Sequence, residues 1–480
     1  MKSFVPRASA LLASAFVVFC FAGTAWMADA DEQVQAEKNL RRRVDPVIMN
    51  GKLAGEILGC PVANLRLYAS RDGVLEPIRF QIDEMTGENG DWILPQGPLP
   101  NADLSNGTFD PWDKLVFMAE DTGDRVTNDA WKKGCAKGAE IEVIDPLTNE
   151  KGWCYLLLFA SSPPALSSLS NCVNYDYNNE ILEADFWHLE YIITQDGLHS
   201  TFYKAICLKD EDGVGPNFVD RLKARPTLKA ALGALTFHFN EEMLKSDVLA
   251  YKIGAVRTIR RVEQYAQIAG FKALRVVLDN MYARYVVTVP VTFRVPFKPS
   301  SVGMSIVIRF GTDYNPEIMA GSTICNSSNS RGFSINGKMD DGEEKFNPEF
   351  DNWRLIAGDR IGGAFMTRTV LTPELRENIK ITMGLTDDSS QKDPPETHPG
   401  LCGYLWQDWD LTRLPRGKYW LFLEFYGIRG WKSGDEVPYC NYLDHPVRIR
   451  VGSQESQSQP LVLPELGDRY RELNPKKTGA

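Results

Sequence analysis

The sequence predicts a mainly β protein, built of two or three antiparallel β-sandwich-like domains with a short helical insertion. Three observations predict it. Short apolar runs are punctuated by turn residues from about residue 65 to 160, period-two alternation is clean in Ile78-Arg79-Phe80-Gln81-Ile82, and the centre of the chain holds β-rich runs of twelve or more residues. The 480 residues carry a net charge of −10, with 43% apolar residues, which is a globular composition.

Residues 1–30 read as a secretory signal peptide. Lys2 and Arg7 precede an uncharged apolar run from Ala8 to Met27, and the small-x-small triplet Ala28-Asp29-Ala30 follows. Cleavage there sets the mature N-terminus at Asp31, leaves no membrane span and places the protein in the periplasm or outside the cell. Nucleic acid is excluded as a partner, because an acidic surface repels phosphate and no basic run is longer than Arg41-Arg42-Arg43.

Leu65-Arg66-Leu67-Tyr68-Ala69 is the first strand of an N-terminal β domain over 45–160, and Asp72-Gly73 ends it. Alternation sets Ile78, Phe80 and Ile82 on one face and Arg79 and Gln81 on the other. Leu115 to Met118 reads as a buried strand, and Ile141 to Ile144 pairs with Trp153 to Phe159 across Asp145-Pro146-Leu147-Thr148-Asn149. Serine and proline mark 161–174 as a linker.

The large sandwich is expected over 175–385, with strands at 255–268, 273–278, 283–295 and 304–310. Its helical insertion is read at Phe218 to Leu235, broken by Pro226 and recapped by Thr227. An aromatic-rich β segment over 395–452 contains Gly417 to Phe425 and closes with Val447 to Val451, and 453–480 lacks the apolar content to order itself. Of nine cysteines, eight remain after cleavage, and an oxidising compartment favours disulfides, with Cys402 and Cys440 as the best single pair.

Catalytic and cofactor motifs are missing from the sequence. There is no Gly-x-Ser-x-Gly elbow, no His-Glu-x-x-His and no Cys-x-x-Cys, so neither a metal nor a cofactor is expected. The acidic run from Asp110 through Asp113, Glu120 and Asp121 to Asp124 fails calcium-loop spacing and reads as carboxylates stabilising turns. Two function classes remain. A non-catalytic envelope or extracellular protein would bind a glycan or an envelope protein through Trp406, Trp409 and Trp431, whose flat rings stack on sugars when exposed. A polysaccharide lyase or hydrolase of the large-sandwich kind would instead assemble His238, Arg257, Arg260, Tyr282 and Tyr285, with a cation to neutralise a uronate and Tyr or His to take its proton.

Glu76-Pro-Ile-Arg-Phe-Gln-Ile-Asp-Glu84, Asp113-Lys-Leu-Val-Phe117 and Gly254-Ala-Val-Arg257-Thr-Ile-Arg260 together resemble a pattern of uncharacterised secreted bacterial β-sandwich proteins. The resemblance covers about 50 residues. It implies a β architecture and relatives acting on or beside polysaccharide, and it assigns no catalytic residue.

Overall fold

A computed structural model describes residues 35–459, apart from 89, 133, 161–162, 166–168, 194–198 and 269–270. The signal peptide at 1–30, parts of the linker and residues 460–480 of the tail lie outside the described residues.

The chain is mainly β, in antiparallel sheets. In the N-terminal part, Leu65–Arg71 turns at Asp72 and Gly73, both at positive φ, into Val74–Pro77. Lys137–Ile144 pairs with Lys151–Leu158 across the expected turn, where Asn149 takes φ 58°. These strands belong to a six-stranded sheet, which packs on a three-stranded sheet of Pro46–Asn50, Lys114–Met118 and Phe80–Asp83. Leu65, Leu67, Ile141 and Leu156 from the first meet Val47, Phe80, Leu115 and Phe117 from the second, all buried. Burying each such side chain contributes roughly 1.5–3 kcal/mol. Ile78, Phe80 and Ile82 share that core as alternation requires, yet Gln81 on the other face is also buried, against the large sandwich.

The large sandwich consists of a 14-stranded and a 5-stranded sheet. The long strands Arg257–Ile268, Phe271–Ala283 and Val286–Val295 run through the middle of the first. The second has the order Leu235–His238, Val219–Ala230, Ser305–Tyr314, Leu401–Asp410, Lys380–Asp388. Val262, Leu278 and Phe365 from the large sheet pack against Tyr314, Met383 and Leu405 from the small one.

The helical reading of 218–235 is corrected, since Val219–Ala230 is a strand paired with Ser305–Tyr314. Arg221 to Lys229 pair residue by residue with Asp313 to Ser305, the ladder of an antiparallel strand and not the i to i+4 bonding of a helix. Pro226 is tolerated because pairing with the edge strand begins one residue later, at Thr227, and its carbonyl still accepts from Phe239 N–H at 2.9 Å.

The 395–452 segment is distributed over three sheets. Leu401–Asp410 enters the five-stranded sheet and Gly417–Arg429 the 14-stranded one, while Arg448–Val451 returns to the six-stranded N-terminal sheet beside Lys137–Ile144. Gln454–Gln457, inside the expected disordered tail, is the outermost strand there.

The disulfide expectation is corrected as well. All eight described cysteines are free. Cys402 is sealed between the two sheets of the sandwich, whereas Cys440, on the helix Val437–Asp444, packs on the opposite face of the 14-stranded sheet. The sheet stands between them, so their backbones cannot approach within the roughly 7 Å a bridge requires.

Candidate functional site

The three segments that carry the sequence resemblance meet at one buried junction. Gln81 Oε1 accepts the backbone N–H groups of Val256 and Arg257, both at 2.8 Å, and its amide donates to Asp83 at 2.7 Å. Asp83 in turn pairs with Arg257 at 2.9 Å and Lys252 at 3.0 Å. Burial works to raise the Asp83 pKa, but the two cations overcome it and hold the carboxyl below its ordinary range. Arg257 lies 5.4 Å from the ring centroid of the buried Trp92. Gly254 is required here, because a Cβ would fall 2.2 Å from Gln81 Oε1. The pattern therefore docks the N-terminal part onto the large sheet.

Arg260, three residues after Arg257, points to the other face of that sheet. Its guanidinium contacts Glu180, donates to Tyr175 at 3.1 Å and lies 4.4 Å from the centroid of the Tyr191 ring. Tyr191 and Tyr282 share a hydroxyl hydrogen bond of 2.5 Å. Burial drives the Tyr282 hydroxyl well above its ordinary pKa, and neither Arg260 nor Tyr282 meets solvent. His238 is on the exposed edge strand, with Nδ1 3.2 Å from Thr227 Oγ1, and Tyr285 donates to Glu120 at 2.9 Å. Of the five residues, Arg260 and Tyr282 come together, in a closed core; Arg257, Tyr285 and His238 lie elsewhere.

The tryptophans also separate. Trp409 is buried between the sheets, donating to Gln407 at 3.1 Å. Trp431 is half-buried and donates to Glu436 at 3.0 Å. Trp406, three residues before Trp409 on the same strand, faces the outside of the five-stranded sheet.

That outer face gathers the chemistry that remains partly open. The Trp406 ring lies flat over Gly384, where a Cβ would come within 2.1 Å of it. Arg309 covers its other side, 3.9 Å from the ring centroid, and is locked by two bonds of 2.7 Å to Asp408. The side chains of Arg309 and Asp408 remain 40% and 26% exposed. Next along the face, Tyr404 has a buried hydroxyl with no hydrogen-bond partner, and the buried Lys223 ammonium sits 3.1 Å from Asp313 and 2.7 Å from the Asp393 carbonyl. Burial drives the Asp313 carboxyl upward while Lys223 opposes it. Lys223, Arg225, Arg309 and Asp408 were not legible as a site, because the helical reading of 218–235 scattered the first two. Alternation of Lys223 with Arg225, and of Trp406 with Asp408, was the available signal.

Within the acidic run Asp113 stabilises its turn as expected, whereas the Glu120 carboxylate pairs with Arg284 at 2.7 Å. Asp113 accepts from Met85 N–H at 2.9 Å and Asp110 N–H at 2.7 Å, and burial pushes its carboxyl up to about 6. With Glu84, Asp110 and Trp112 it lines a small cleft, and among the described residues no group of three His, Cys, Asp or Glu side chains is placed to hold a metal ion.

No protein-family model and no curated protein matches the chain. Among solved structures, it is similar to an α-mannosidase from Enterococcus faecalis V583 at 9% identity and TM-score 0.37, over 90% of this chain and 46% of that one. It is also similar to a mutant heparan sulfate lyase from Pedobacter heparinus at 9% identity and TM-score 0.30, over 64% of this chain and 44% of that one. The chain thus spans less than half the length of either protein.

Proposed function

We propose that this chain is an exported, non-catalytic protein of the periplasm or cell exterior that binds a glycan on the outer face of its five-stranded sheet. The observation that supports the reading is the Arg309–Asp408 pair held flat on Trp406. Arg309 commits Nε and Nη2 to Asp408, leaving Nη1 beside a partly exposed carboxylate. A donor and an acceptor side by side match the two hydroxyls of a vicinal diol, and charge-assisted bonds of this kind are about twice as strong as neutral ones.

The enzyme alternative lacks comparable support. Proton abstraction needs a base within reach of a substrate that can enter, and Arg260 and Tyr282 are closed off while His238 stands apart on an edge strand. Export rests on Lys2, Arg7, the apolar run and Ala28-Asp29-Ala30. Intact mass of the protein recovered from its native cell tests that part, with a mature N-terminus at Asp31 expected. Binding is tested by retention on a panel of immobilised acidic and neutral polysaccharides. Arg309→Ala and Asp408→Ala should each reduce retention several-fold, and retention unchanged by both, or absent in the parent protein, overturns the reading.

A further inference from the structure

Three neighbouring connections stand at one end of the sandwich, beside the short helix Pro373–Asn378, which brings Glu374 and Glu377 together with Arg376 to the same end. Leu232 N–H donates to Gly303 O at 3.2 Å, bringing the turn after Val219–Ala230 against the loop before Ser305–Tyr314. Ser300 N–H donates to Thr412 O at 2.9 Å, which adds the loop between Leu401–Asp410 and Gly417–Arg429. Register pairs Arg294 with Lys418 and Lys229 with Ser305, so the strand ends converge on the same place.

The composition of this end departs from the rest of the chain. Segments 229–237, 294–304 and 411–418 contain Lys229, Arg294, Lys298, Arg413, Arg416 and Lys418 and no Asp or Glu, in a protein whose net charge is −10. All six cations are exposed. Between them project Leu232 at 92% exposure, Val302 at 54% and Phe297 at 44%. Leu232 sits at the tip with φ 54°, a conformation that costs a non-glycine residue energy and that no burial of its own side chain offsets.

We propose that this end docks on an anionic lipid surface, with Leu232, Phe297 and Val302 entering the interface and the surrounding cations meeting the headgroups. The charge pattern favours this occupant over a second copy of the chain, since two copies would oppose six cations with six. Apolar side chains ringed by Lys and Arg are the arrangement that combines interfacial burial with electrostatic attraction. This inference stands apart from the glycan reading, as it uses none of Trp406, Arg309 and Asp408.

The test is flotation of the full chain with vesicles of pure phosphatidylcholine and vesicles containing about one-third phosphatidylglycerol. Binding to the anionic vesicles, falling steeply between about 50 and 300 mM salt, is expected. Leu232→Asp with Phe297→Asp should cut the bound fraction about tenfold. Both sites are exposed, so the fold should persist, and an unchanged circular dichroism spectrum and melting point would verify it. Lys298→Glu with Arg416→Glu should give a similar loss by removing charge without touching the apolar tip. No binding, equal binding to both vesicle types, or a dimer in solution that Leu232→Asp dissociates, overturns the proposal.

Discussion

Gln81 accepts the backbone N–H of Arg257 at 2.8 Å across 176 residues of sequence, and the same oxygen accepts Val256. One amide thereby satisfies two buried donors at the start of a central strand of the large sheet and orients Asp83 for its ion pairs. This is a structural use of a motif that resembles one in secreted proteins, and it accounts for Arg257 without any catalytic role.

Gln81→Leu leaves both N–H groups buried without acceptors. An unsatisfied buried donor costs about 1–3 kcal/mol, so the substitution should destabilise by about 2–4 kcal/mol. Gly254→Ala should be comparably harmful, as its new methyl occupies the position of Gln81 Oε1. Urea unfolding of each variant measures the loss, and a midpoint equal to that of the parent would refute the junction's importance.

Arg260 and Glu180 form a buried ion pair. Removing one member strands the other, at about 3–5 kcal/mol, while removing both is cheaper. Arg260→Met should therefore be more destabilising than Arg260→Met with Glu180→Gln. A double-mutant cycle decides the point, and strict additivity would contradict it.

Glu343 gives the protein a pH dependence. It is buried, and that burial, with the neighbouring Asp387 and Asp340 charges, raises its carboxyl to about 7. The folded state then holds a proton that the unfolded state, near its ordinary value of about 4.3, has released. The resulting stability is complete below about pH 4, falls as pH rises to about 7 and is flat beyond. Glu343→Gln should flatten the difference in unfolding free energy between pH 4.5 and 7.5, and a parallel profile in parent and variant would exclude this origin.

The free cysteines predict a graded reactivity. Cys135 is partly exposed, whereas Cys154 is fully buried and its thiol is pushed well above the ordinary pKa by burial. A maleimide should label Cys135 first in the native protein and reach Cys154 only in denaturant. Without reductant, denatured protein should expose all eight described thiols, and a lower count by mass would reveal a disulfide.

Local residue pattern was enough to read the β class, the N-terminal strands and the turns at Asp72-Gly73 and Asp145 to Asn149. These rest on local physics: period-two burial along a strand and the residues that accept positive φ. It also marked Asp113 correctly as a turn carboxylate. Tertiary structure alone decided the rest. Val219–Ala230 is a strand because Ser305–Tyr314 supplies its hydrogen-bond partners, which outweigh a local pattern containing Pro226. Trp406 and Trp409 share a strand yet face opposite ways, one onto Gly384 and Arg309, the other into the core. Arg257 and Arg260 divide likewise, between a domain junction and a closed tyrosine cluster. Composition states which rings and charges exist, but their function depends on which side of a sheet each one faces and what distant segment covers it, and both are fixed by pairings between segments far apart in the chain.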